Sequence, residues 1–158
     1  MSSLEEGSEE VVLSEETLRK GLAVIGKHPI LLNHAFLELK VVDSGVSDIS
    51  ALAKHPALMY VNLSSNKVHD ITALAALPAL VQLNLAHNSL TKCLDFAPLR
   101  CSKDKAWAQG DTALGSMLTN ANLSHNRIAQ LDSLAHHPYL EVLIVSHNSI
   151  QEISGFPR

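Results

Sequence analysis

Three histidines are the residues whose spacing most suggests chemistry. His87, His125 and His147 each stand directly before an asparagine, in Leu85-Ala86-His87-Asn88, Leu123-Ser124-His125-Asn126 and Val145-Ser146-His147-Asn148. If these segments are neighbouring strands, the imidazoles lie about 5 Å apart. Converging imidazoles are a zinc ligand set. Imidazoles held side by side also resist taking up protons together, which would give a pH response. Against the metal reading, the equivalent position elsewhere holds Asp43 or Ser65, as a solvated polar site would. No cysteine or glutamate shares the column, so no metal and no cofactor is expected. Cys93 occupies the same pattern position as Ile71 and Ile153, which makes it buried and inert. Cys101 has no positioned base beside it. Two cysteines cannot build a disulfide framework, which points to a reducing compartment. There is no nucleophile elbow, glycine-rich phosphate loop or zinc-protease motif, so no catalysis is expected.

The elements that would position these residues come from a 22-residue period. Leu58-x-x-Val61-x-Leu63-x-x-Asn66-x-Val68 recurs at Leu80 to Leu90, at Leu118 to Ile128 and at Leu140 to Ile150. A weaker first copy runs from Phe36 to Val46, with Ser44 in place of asparagine. The alternation of period two marks a short strand with one buried face. Asn66, Asn88, Asn126 and Asn148 end these strands as a structural ladder, because an amide side chain can pair turn backbone that is otherwise buried. Apolar pairs follow at Ile49 and Leu52, Ile71 and Leu74, Cys93 and Phe96, Leu131 and Leu134, and Ile153 and Phe156. Proline closes the outer arc at Pro56, Pro78 and Pro138.

This is the pattern of the leucine-rich repeat family. It implies an α/β solenoid of about five 22-residue repeats over residues 36–158, with a concave parallel β-sheet. Aromatics are only 4% of the chain, so the core must be aliphatic. Asn88 and Asn126 lie 38 residues apart, which leaves an insertion at 100–117. The insertion carries Trp107, read either as a docking anchor or as a side chain folded back onto the outer arc.

Residues 14–35 read as an N-terminal capping helix and lead-in. Ser14 is the N-cap, and Leu18, Leu22 and Ile25 share one face. Residues 1–13 read as an acidic, disordered leader. The first 20 residues carry six acids and two bases, which accounts for the whole formal charge of −4. The balanced remainder has no basic cluster, so nucleic acid is not an expected partner. No apolar run spans a membrane, so no membrane association is expected. The end at Gly155-Phe156-Pro157-Arg158 offers no polar cap, so the isolated chain is expected to depend on assembly.

The outward strand positions form columns on the concave face: Glu38, Tyr60, Gln82, Asn120 and Val142, then Lys40, Asn62, Asn84, Asn122 and Ile144. This small, polar, nearly uncharged face suits protein–protein contact rather than a small-molecule substrate. The candidate partner-binding residues are Tyr60, Asn62, Gln82, Asn84, His87, Asn120, Asn122, His125, Glu141 and His147, with Trp107 on the insertion. The alternative is a merely solvated sheet face.

The segments Leu13-Ser14-Glu15-Glu16, Lys20-Gly21-Leu22, Leu32-Asn33-His34-Ala35-Phe36-Leu37-Glu38-Leu39, Val46-Ser47-Asp48-Ile49 and Leu58 to Asn66, in this order, resemble the N-terminal half of the leucine-rich repeat proteins of the axonemal radial spoke. That resemblance implies a non-catalytic scaffold in the third radial spoke of motile cilia and flagella. Its partners would be protein subunits of that cytoskeletal assembly. Those proteins are longer, with more repeats and a charged tail, and lack the insertion around Trp107. The other role such repeats imply is a soluble regulatory subunit, for example of a protein phosphatase. That role would predict a charged, aromatic-rich concave face.

Overall fold

A computed structural model describes residues 10–27, 34–96, 117–132 and 134–154. One helix, α1 (Glu15–Gly21), opens the chain. Ser14 caps it by accepting the Thr17 N–H, while Glu15 and Glu16 sit in its first turn and Arg19 and Lys20 in its last. Strands β1 (Leu22–Lys27) and β2 (His34–Lys40) then pair antiparallel. The strands β3 (Tyr60–Asn62), β4 (Gln82–Asn84) and β5 (Asn120–Asn122) follow. Further along come β6 (Gln130–Leu131), β7 (Val142–Ile144) and β8 (Glu152–Ile153).

The larger sheet has the order β1-β2-β3-β4-β5-β7, and every pair after the first is parallel. Its register repeats without slip: Glu38, Tyr60, Gln82, Asn120 and Val142 align across five strands. The insertion does not disturb that alignment, since β4 pairs directly with β5. The outer arc holds 3-10 turns at Ser50–Lys54, Thr72–Ala76 and Leu134–His136. There β6 and β8 pair in a short second sheet.

Between the two arcs lies an aliphatic core. Leu39, Leu63, Leu85 and Leu123 come from the strand side, and Leu52, Leu74 and Leu134 from the outer turns. The leucine side chains of successive repeats stack on one another, so each repeat buries its face only against its neighbours. Four of the five expected apolar pairs are buried. In the fifth, Ile153 is exposed because no described residue stacks on its outer side, and Phe156 lies outside the described residues.

Two boundaries differ from the sequence reading. The helix is shorter than the 14–25 face implied: Leu18 is buried, but Leu22 and Ile25 belong to β1, and Ile25 is exposed. Gly21 explains the switch. A Cβ there would lie 2.5 Å from the Lys40 carbonyl oxygen, so the chain turns hard against β2 at this point. Beyond it the β-branched Ile25 favours a strand, while Val24 is left-handed, with φ of 56°, and drops out of the pairing with β2. The leader also reaches less far than residue 13. Val12 bridges Asp48, the Leu13 N–H donates to the Asp48 carbonyl at 2.9 Å, and Leu13 is fully buried. An apolar Val-Val-Leu run is drawn to the open side of the first repeat by the surface it can cover. Residues 1–9 lie outside the described residues.

Candidate functional site

Each strand ends in the same turn, and its asparagine explains why. Asn66 Oδ1 accepts the Ser44 and Val46 N–H groups, both at 3.1 Å, and its Nδ2 donates to the Val41 carbonyl at 2.8 Å and the Leu63 carbonyl at 2.9 Å. Asn88, Asn126 and Asn148 repeat this pattern, each tying its own turn to the preceding one. Asn66, Asn88 and Asn126 are buried, so their bonds replace backbone hydration that the core excludes.

The residue before each turn asparagine, and before Ser44 in the first copy, is left-handed. Asp43, Ser65, His87, His125 and His147 all have φ between 51° and 57°. Aspartate and histidine tolerate this region better than most residues. The turn N–H groups extend the parallel ladder: His87 donates to the Ser124 carbonyl at 2.9 Å and His125 to the Ser146 carbonyl at 3.0 Å. Held this way, the imidazoles stack. His87 and His125 have ring centroids 4.1 Å apart at 10° between planes, and His125 and His147 are 4.1 Å apart at 13°. Near-parallel rings keep their nitrogen lone pairs in parallel planes and do not aim them at one point. Among the described residues no group of three metal-ligating side chains converges. His125, in the middle, has its pKa lowered by desolvation and by the two neighbouring imidazoles.

The concave columns form a shallow groove of about 300 Å³. Tyr60, Asn62, Gln82, Asn84, Asn120 and Asn122 line it, with Glu38 at one end and Val142 and Ile144 at the other. Glu141 precedes β7 and is not among the groove-lining residues; its N–H donates to the Thr119 carbonyl. Trp107 and Cys101 lie outside the described residues.

The groove asparagines are not simple outward hydrogen-bonders. Asn62 Oδ1 accepts the Ser64 N–H at 3.1 Å, Asn84 Oδ1 the Ala86 N–H at 3.0 Å, and Asn122 Oδ1 the Ser124 N–H at 3.1 Å and hydroxyl at 2.8 Å. Asn120 Oδ1 accepts the Thr119 hydroxyl at 2.8 Å. A spacing of two residues between asparagine and its N–H partner is an Asx turn. Those of Asn62, Asn84 and Asn122 follow from asparagine at a strand's last position, a signal present in the sequence.

Other side chains matter to the site only through the frame. Asp48 and Asp70 accept the Ser50 and Thr72 N–H groups, and those hydrogen bonds hold both carboxyls below the usual range. Cys93 is buried, and desolvation pushes its thiol up to about 12, so it does not form the thiolate a nucleophile needs. His137 is buried, its Nε2 lying 3.0 Å from the Leu94 carbonyl and its ring edge-on to Phe96. Desolvation lowers its pKa. The sequence hides this histidine, because it aligns with exposed-looking His55 before the outer-arc proline. It also aligns with buried Leu77, whose place in the core it takes.

No family profile matches the chain. Leucine-rich repeat-containing protein 23 of Homo sapiens is 27% identical over an alignment of 153 residues, covering 90% of this chain and 36% of that protein. The Bos taurus protein of the same name is 28% identical with the same coverage. The Xenopus tropicalis protein is 44% identical over 54 residues. The chain therefore spans about a third of the length of the mammalian relatives. Among solved structures, an internalin C2 from Listeria monocytogenes superposes with a TM-score of 0.58 at 25% identity, covering 76% of this chain and 46% of that one. The functional domain of InlJ from the same organism gives 0.50 at 20%, covering 70% and 20%. The chain thus has the leucine-rich repeat fold, a fold generally used for protein interaction, and over most of its length it is similar to leucine-rich repeat-containing protein 23.

Proposed function

We propose that the chain is a non-catalytic scaffold of the radial spoke in motile cilia and flagella, binding protein subunits of the third spoke through its concave groove. The observation that carries the binding role is the groove itself. It is continuous across five registered strands and lined by half-buried asparagines and the exposed Gln82, with charge only at its β2 end among the described residues. The fold supplies rigidity, since every strand is tied to the next by ladder bonds and by the asparagines. A rigid module of this kind suits a static bridge that carries force between the central pair and the dynein arms. The axonemal setting rests on the similarity to leucine-rich repeat-containing protein 23, and above all on the order of segments from Leu13 to Asn66. The regulatory-subunit reading calls for charged and aromatic side chains on the concave face, where only Tyr60, Glu38 and Lys40 would serve.

The test is fractionation of detergent-treated flagella carrying a tagged full-length copy. Retention in the salt-resistant axoneme, lost in Gln82→Trp, whose bulk fills the groove, is the expected result. Release of the wild-type copy into the soluble fraction would overturn the axonemal role. Retention of Gln82→Trp equal to wild type would overturn the groove as the binding face.

A further inference from the structure

The groove has a chemical bias beyond its shape. Four amides on three neighbouring strands, Asn62, Asn84, Asn120 and Asn122, have their oxygen atoms engaged by turn N–H groups or hydroxyls, once in the first three and twice in Asn122. Each Nδ2 is left without a partner among the described residues. A free amide offers two donor and two acceptor sites; these keep both donors, at fixed positions, with at most one acceptor site left. At the C-terminal ends of β4, β5 and β7 the stack of His87, His125 and His147 extends the same bias, because a protonated imidazole is a donor at both nitrogens. We propose that the groove from β3 to β7, with the imidazole stack at its edge, binds a run of carboxylates on a helical protein segment and takes up protons as it does so.

The reading of the groove as the protein-binding face underlies this proposal, which adds the chemistry of the partner. Strand spacing sets the donor rows about 4.8 Å apart. Carboxylates at i, i+3 or i+4 and i+7 on a helix stand about 5–6 Å apart, close to that repeat. An extended segment places same-face side chains about 6.8 Å apart and drifts out of step. The charged neighbours fit the placement. Glu38 and Asp43 lie toward β2 and would repel acids there, with Ser65 separating Asp43 from the stack. Lys40 belongs to the β2 end as well. The exposed Lys67 and Arg127 flank the turns, following Asn66 and Asn126. Among the described residues the charges that act on His125 are those of His87 and His147. The free stack therefore resists protonation in its middle, and a carboxylate over it relieves that repulsion. Linkage then makes binding tighten as pH falls through the histidine range while glutamate stays ionised.

The experiment measures fluorescence anisotropy with the full chain and a labelled helix-forming peptide carrying glutamate at i, i+4 and i+7. A second peptide has glutamine at those positions. The glutamate peptide is expected to bind at pH 7.5 and at least ten-fold more tightly at pH 5.5, with the glutamine peptide weak at both. The triple variant His87→Asn, His125→Asn, His147→Asn, whose residues accept the left-handed turn, should lose the pH gain, binding the glutamate peptide no more tightly at pH 5.5 than at pH 7.5. Asn84→Asp with Asn122→Asp keeps the turn bonds but replaces the donors with acceptors, and should weaken binding at both pH values. Equal binding of the glutamine peptide, an unchanged pH gain in the triple variant, or unchanged affinity in the aspartate variant would each overturn the proposal. If the glutamate peptide fails while Gln82→Trp still abolishes axonemal retention, the carboxylate inference falls alone. If Gln82→Trp is retained, the groove reading falls beneath it.

Discussion

At the scale of single residues, the asparagines divide into two kinds with different consequences. Those at the turns are buried and bind backbone of two repeats, so their loss strands several buried polar groups at once. Asn88→Ala leaves the Val68 N–H and the Leu63, Leu85 and Ala86 carbonyls without that amide. Each orphaned group costs about 1–3 kcal/mol where water cannot enter. A loss of at least about 2 kcal/mol is expected in urea denaturation. Asn148 makes the same bonds but is only half-buried, and water can replace part of them. Asn148→Ala should cost roughly half as much. The buried histidine gives a pH prediction. The folded pKa of His137 lies below its unfolded value, so the unfolded chain binds more protons in the window beneath about pH 6.5. Stability is therefore fully present above that pH and is lost as pH falls toward the folded pKa. His137→Leu restores the residue type of Leu77. It should flatten the pH dependence of Tm between 7 and 5, and lower Tm slightly at pH 7.5 through the lost Leu94 bond.

At the scale of elements, the junction between α1 and β1 is the least forgiving point. The obstacle to a side chain at position 21 is a backbone carbonyl, with Val41 and Leu39 side chains close behind. Gly21→Ala is expected to destabilise by about 1–3 kcal/mol, as overpacking does, in spite of alanine's better helix propensity. A neutral or stabilising result in thermal melts would show that the junction opens without cost. The helix was legible in the sequence because Ser14 and the acids after it are local signals. Its end was not, because apolar residues at 18, 22 and 25 fit a helical face as well as the start of a strand. What decided between them was β2, whose free edge offered Leu22 to Lys27 a pairing partner.

Across the whole molecule, stability is graded along the solenoid. Leu63, Leu85 and Leu123 are wholly buried, while Leu143, Val145 and Ile150 are half-buried and Val142, Ile144 and Ile153 are exposed. Leu83→Ala should cost about 2–5 kcal/mol, whereas Leu143→Ala should cost less, because its site is already open to water. Hydrogen exchange should show the same gradient, with amides of β3, β4 and β5 protected longest and those of β7 and β8 exchanging earlier. Uniform protection along the chain would contradict a nearest-neighbour solenoid.

The sequence by itself determined the repeat: its period, the strand in each copy, the buried leucines and the asparagine turns. All of these rest on contacts within one repeat or with the next, so a pattern of period 22 contains them. It also placed Tyr60, Gln82 and the asparagine columns on one face, since side chains alternate along a strand. Tertiary structure decided what those positions can do. The left-handed turn before each asparagine and the ladder bonds to the next strand made a stack out of three separate histidines. The Asx bonds fixed the direction in which the groove amides present their N–H donors. The stack depends on backbone angles and on the neighbouring repeats, which residue spacing does not encode, whereas the Asx bonds are local and asparagine at a strand's last position already signals them.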